Sequence, residues 1–70
     1  MELYQLKTFA TVASTGHLTK AAEQLFISQP AVSAQIRSLE DELGLSLFER
    51  TPAGMMLTPA GTRLLEHADR

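Results

Sequence analysis

Seventy residues at 44% hydrophobic content make one small domain, too apolar for a disordered tail and dependent on an efficient pattern to fold alone. No apolar run approaches the roughly 18 residues of a membrane span, the mixed start with Glu2 and Lys7 is unlike a signal peptide, and the absence of cysteine excludes disulfides and thiolate metal sites. The net charge of −2 runs against the basic balance usual for a phosphate-binding domain, so the placement of the charges matters more than their sum.

Leu3, Leu6, Phe9, Ala10 and Ala13 fall at the spacing of one helical face and predict a first helix, stopped at Thr15-Gly16. A short second helix carries Leu18, Ala21, Ala22 and Leu25 inward, and Phe26-Ile27 forms a brief apolar connection. Ser28 is a good N-cap for a third helix, with Pro30 in its first turn, where a missing N–H costs little. That helix points Val32, Ile36, Leu39 and Leu43 inward and ends at Gly44. The period then changes. Leu45–Arg50 and Met55–Thr58 read as short strands around the turn chemistry of Thr51-Pro52-Ala53-Gly54. Thr58-Pro59 reads as N-cap and first position of a fourth helix with an apolar stripe of Leu64, Leu65 and Ala68. This helix is still in progress at Arg70, which predicts a longer parent protein.

Residues Leu18 to Leu43 therefore form a helix-turn-helix unit, whose second helix can enter the major groove of DNA. Ala21 and Ala22 allow close helix approach, and Leu25, Ile27 and Val32 are expected to fill the angle between the helices. At about 100° per residue, Pro30, Ala34 and Arg37 point away from the apolar side of the third helix. Ser33 and Ser38 flank it, and Ser28 and Gln29 project from its N-terminal tip. Between Gln24 and Leu39 the only charged residue is Arg37. An ordinary solvated face would show more Glu and Lys. A small, uncharged, hydrogen-bonding face suits base edges: Gln can bond adenine bidentately, Ser can donate or accept, and Ala or Pro can touch a thymine methyl.

Leu18-Thr19-Lys20-Ala21-Ala22-Glu23-Gln24-Leu25, followed by Ile27-Ser28-Gln29-Pro30-Ala31-Val32-Ser33-Ala34-Gln35-Ile36, resembles the signature of LysR-type regulators. So do Leu39-Glu40-Asp41-Glu42-Leu43-Gly44, Leu47-Phe48-Glu49-Arg50 and Leu57-Thr58-Pro59-Ala60-Gly61, and the likeness holds register over nearly the whole chain. It implies a mainly α fold, a winged helix-turn-helix with a three-helix core, a short β-hairpin wing and the start of a linker helix. The DNA-binding domain would span residues 1–58, and residues 59–70 would begin the linker and dimerisation helix. The implied function is sequence-specific binding of double-stranded DNA by a bacterial, cytoplasmic transcription regulator. It would act as a homodimer through the helix starting at Pro59, or as a tetramer of the full-length protein. A small-molecule effector would bind only the C-terminal domain, which lies outside this sequence.

By the same resemblance, Gln29, Pro30 and Ser33 match base-proximal positions, Thr19 and Ser28 match hydroxyls that meet the phosphate backbone, and Arg50 matches the arginine at the base of the wing. Three departures stand out. Ala34 replaces an arginine found in many relatives and leaves a methyl contact. The wing Thr51–Met55 lacks the basic residue that relatives often direct toward the minor groove. His17 takes the place of a common capping Ser. From the residues themselves, Lys20 is either a phosphate contact or a solvated charge. Thr19 meets phosphate or bonds its own helix start, and Arg37 meets phosphate or pairs with Glu40 or Asp41.

No convergent titratable pair, Gly-rich phosphate loop, nucleophile elbow or triad is visible, and His17 and His67 sit on different helices. The sequence thus predicts no enzyme, no catalytic residue, no metal and no cofactor. Glu40-Asp41-Glu42 is expected to form a solvated rear face, and Met55-Met56 a hairpin or partner contact. The competing class is a winged-helix module that associates with protein only, to which the acidic net charge and the uncharged wing both lend weight.

Overall fold

The computed structural model describes residues 1–68. It runs α1 (Leu3–Thr15), α2 (Leu18–Leu25), α3 (Gln29–Leu43), β1 (Phe48–Thr51), β2 (Gly54–Leu57) and α4 (Pro59–Ala68). The continuation of α4 toward Arg70 lies outside the described residues. The fold is mainly helical, a winged helix-turn-helix in which three helices enclose the core and one antiparallel hairpin lies beside them. Phe9, Val12, Val32, Leu39 and Leu47 are its largest fully buried side chains, and the Phe9 and Phe48 rings meet at 5.4 Å between centroids and 51° between planes. That tilted geometry suits the aromatic quadrupoles and ties α1 to the wing.

α1 buries only part of the face its apolar residues suggest: Phe9 is buried and Ala13 packs against the core as expected, but the buried stripe is rotated away from Leu3, Leu6 and Ala10. Leu3 is 82% exposed and Leu6 and Ala10 are only half-buried, whereas Gln5, Thr8, Phe9 and Val12 are buried. The 5–8–9–12 stripe has helical spacing too, but two of its members are polar. Their burial is offset by bonds across to α3: Gln5 Nε2 donates to Ser38 Oγ at 3.3 Å, and Thr8 Oγ1 donates to Gln35 Oε1. Among the described residues no buried side-chain nitrogen or oxygen lacks a partner, so this seam avoids the penalty of a stranded polar group.

α2 ends in a left-handed residue, Phe26 at φ 59°, whose N–H returns to Ala22 and Glu23 carbonyls. The next amide, Ile27 N–H, donates to Ala22 O at 3.1 Å. This turn throws the Phe26 ring outward, 93% exposed, and leaves Ile27 37% exposed. The interhelical angle is filled by Val32 and half-buried Leu25, without the expected help of Ile27. Ser28 caps α3 as its residue type predicts, its Oγ accepting from Ala31 N–H at 3.2 Å. Val32, Ile36 and Leu39 are buried, and Leu43 packs against the core cluster, all on the expected side.

Glu40 departs from the expected solvated rear face. Its Oε2 accepts from Leu47 N–H at 2.8 Å and pins the end of α3 to the approach to the wing. Asp41 and Glu42 are exposed, and Glu42 pairs with the Met1 ammonium.

The hairpin is shorter and shifted. Phe48 pairs with Leu57 and Thr51 with Gly54, so the loop shrinks to Pro52-Ala53. Leu45 and Ser46 stay outside the ladder because the chain leaves α3 through the left-handed Gly44 turn, and Leu47 is buried before the first pair. Thr58 is withdrawn from β2 by its capping role. Its Oγ1 accepts from Gly61 N–H at 3.0 Å and donates to Ser46 O at 2.6 Å. A Cβ at Gly61 would lie 2.2 Å from Leu47 O, so only glycine lets the first turn of α4 sit this close to the strand approach.

Candidate nucleic-acid interface

The exposed side of α3 carries the residues singled out in the sequence. Ser28, Gln29, Pro30, Ala34 and Arg37 are exposed, and Ser33 is half-buried with its Oγ accepting from Gln29 Nε2 at 3.4 Å. Ser28 already spends one lone pair on its cap, which leaves its O–H to donate elsewhere. Among the described residues Arg37 forms no ion pair with Glu40 or Asp41, the one ion pair being that of Met1 and Glu42. Of the two readings of Arg37, the intrahelical pair is absent.

Two concavities flank this face. A groove of about 740 Å³ lies between the start of α2, the tip of α3 and the wing, and brings together Thr19, Lys20, Gln29 and Arg50. A smaller one of about 110 Å³ gathers Ser33, Arg37, Glu40 and Arg50. Leu18, Arg50 and Met55 wall both, so the two form adjacent parts of one surface. Ser28, Pro30 and Ala34 line neither and stand on the open face of α3. Lys20 and Arg50 oppose a single acid, Glu23, in the larger groove.

The floor of this groove was not legible in the sequence. Met55 N–H donates to Gly16 O at 2.8 Å, latching the wing to the α1–α2 turn. A Cβ at Gly54 would lie 2.5 Å from Gly16 O and 3.0 Å from the His17 ring, and φ there is 124°. The glycine pair, 38 positions apart, gave no local signal, although a glycine next to a two-residue hairpin loop is a hint of close backbone approach. Met55 is a half-buried wall rather than a chemical group. His17 occupies the N-cap of α2 without a side-chain capping bond. Among the described residues no group of three His, Cys, Asp or Glu side chains could hold a metal ion, and no helix is long and apolar enough to cross a membrane.

The surface has the form of a DNA-reading module, and comparison with known proteins specifies which. Residues 3–62 match the model of the "Bacterial regulatory helix-turn-helix protein, lysR family". The chain belongs to the LysR family. Among its relatives, the HTH-type transcriptional regulator ClcR of Pseudomonas putida is 51% identical over 70 residues, which are all of this chain and 24% of ClcR. The structure of a CbnR DBD–DNA complex superposes with a TM-score of 0.95 at 46% identity, covering 100% of this chain and 80% of that one. A BenM DBD bound to catB site 1 DNA gives a TM-score of 0.94 at 42% identity, covering 99% and 78%. The relatives are transcriptional regulators rather than enzymes. This LysR-family chain spans about a quarter of the length of the curated relatives it matches.

Proposed function

We propose that this chain is the DNA-reading part of a bacterial LysR-type transcription regulator and binds double-stranded DNA in a sequence-specific way. The observation that carries this reading is the exposed, nearly uncharged N-terminal face of α3 between grooves walled by Lys20, Arg37 and Arg50. It is supported by the fit to two relatives solved with DNA. α3 lies in the major groove, with Gln29, Pro30, Ser33 and Ala34 against base edges. Thr19, Lys20, Ser28, Arg37 and Arg50 meet the backbone, where charge supplies affinity and little specificity. Residues 1–58 form the reading domain and residues 59–70 begin the linker.

In the full-length protein, two copies pair through the helix that starts at Pro59 and read an inverted repeat, since a two-fold protein matches a two-fold site. A small-molecule effector acts through a further domain, and the regulator works in the cytoplasm, where its DNA is. Selection of bound duplexes from a random pool, followed by anisotropy titrations at several salt concentrations, tests this reading. Enrichment of a consensus, with affinity that falls steeply as salt rises, is expected. Failure to enrich any sequence, or salt-insensitive binding, refutes it and favours a module that only associates with protein.

A further inference from the structure

His17 is exposed, lines the larger groove, and caps α2 through its backbone alone. Its hydrogen bonds are made by its backbone alone, the N–H donating to Thr15 Oγ1 and the carbonyl accepting from Thr15 Oγ1 and Ala21 N–H, and among the described residues neither imidazole nitrogen has a partner. The ring rests against Gly54, where a Cβ would come within 3.0 Å of Cε1 and 3.2 Å of Nδ1, so one side of it lies against the wing. The charged groups facing it are Lys20 and Glu23 from α2 and Arg50 from β1. α3 contributes Gln29, β2 contributes Gly54 and Met55, and the α1–α2 turn contributes Gly16, all uncharged. With neutral imidazole the groove holds two positive groups against one negative. Protonation of His17 takes that net balance from one positive charge to two.

We propose that the His17 imidazolium is a further backbone-phosphate ligand of this groove, so that DNA binding by this chain takes up a proton from solvent. This rests on the DNA-binding reading above. A phosphate seated in the groove favours the charged form of an imidazole beside it. Proton uptake on binding means affinity rises as pH falls. It also adds one cation to the set that displaces counterions, which steepens the salt dependence.

The test uses the 70-residue chain, its H17N and H67Q variants, and a short fluorescent duplex of mixed sequence. Anisotropy titrations run over a salt series at about pH 5.5 and about pH 8, either side of the ordinary imidazole range. The unsubstituted chain should bind roughly two- to fivefold more tightly at the lower pH, the size of one exposed charge contact. Its log K against log salt should be steeper there by about 0.9. H67Q should keep both responses and H17N should lose both. Equal affinity with parallel salt lines in the unsubstituted chain overturns the proposal, and so does a pH response that survives in H17N. Absence of binding at either pH overturns the DNA-binding reading itself, which separates the two failures.

Discussion

Gly54→Ala should be among the most damaging single-methyl additions in this chain, and Gly44→Ala is its internal control. Both glycines have positive φ, 124° and 67° respectively, yet their surroundings differ. At Gly44 a new Cβ meets nothing within 4 Å, so alanine there bears only the left-handed penalty of roughly 1–2 kcal/mol. At Gly54 the φ lies beyond the left-handed well, a region that costs of order 1–3 kcal/mol for an L side chain. The Cβ would also lie 2.5 Å from a backbone carbonyl, Gly16 O, which cannot swing aside as a side chain can. Relieving that clash moves the wing away and stretches the Met55 N–H to Gly16 O bond, worth about 1 kcal/mol. The sum is about 2–4 kcal/mol, a large share of the ~5 kcal/mol expected for a small domain. Thermal melts followed by far-UV circular dichroism should show G54A losing roughly 10–25 °C and G44A roughly half as much or less. Equal losses would refute the reasoning, because they would mean that the close approach of wing and turn carries no energy.

Three further outcomes follow from individual contacts. Gln29→Ala should lower affinity for a selected site by about 1–3 kcal/mol and leave binding to random duplex nearly intact, as read by parallel anisotropy titrations; equal losses on both contradict a base-reading role. Arg50→Ala should weaken both and make the salt slope shallower by about 0.9, whereas an unchanged slope counts against a phosphate contact. Glu40→Ala removes the acceptor for Leu47 N–H and should cost about 1–3 kcal/mol in urea unfolding, with Glu40→Gln costing less because its amide oxygen can still accept.

Reading the chain alone was reliable where one strong local signal had no rival. α3 has an apolar stripe, a capping Ser28, Pro30 in its first turn and a terminal Gly44, and all four agree. Thr58-Pro59 likewise starts α4 where its chemistry says it should. Reading failed where two patterns shared one period. α1 offers both the apolar 3–6–9–10–13 stripe and the mixed 5–8–9–12 stripe; they share Phe9, and hydrophobicity alone puts Leu3, Leu6 and Ala10 inside in place of Gln5, Thr8 and Val12. Only the partners on α3, Ser38 and Gln35, make Gln5 and Thr8 good interior residues, and they lie 33 and 27 positions away. The strand limits were missed for a related reason. Leu47 and Thr58 look like strand residues, but backbone and capping bonds between the Leu47 region and Thr58 claim them for the approach to α4. Ile27 shows a third cause, since the left-handed Phe26 redirects the chain in a way no apolar pattern records.

The candidate interface was legible as a set of residue types but not as a shape. Gln29 and the uncharged run after Ser28 can be picked out because an exposed helix face so poor in charge is unusual. That Thr19, Lys20 and Arg50 border the same groove as Gln29 depends on the wing folding back onto the Gly16 turn. Glu40 hides its role for the same reason: its carboxylate looks solvated until the Leu47 amide is placed beside it.

An acidic chain can still present this surface to a polyanion because its one cluster of acids, Glu40, Asp41 and Glu42, sits at the other end of α3 and two of the three are engaged. Asp41 and Glu42 lie about 20 Å along the helix from Gln29, at 1.5 Å per residue. That is more than two Debye lengths at physiological salt, where the screening distance is about 8 Å. Glu42 is further compensated by the Met1 ammonium, and one Glu40 oxygen is held by the Leu47 amide. At the N-terminal end the balance reverses, with Lys20 and Arg50 against Glu23 alone. Phosphate approaching the groove therefore meets the local balance, while the formal charge of −2 is felt mainly beyond the screening distance. On the proposed reading, so modest a local excess makes phosphate binding depend on each cation separately. Removing Arg50 leaves Lys20 and Glu23 to cancel, and so the loss of that one side chain is expected to appear in the salt slope and not only in the affinity.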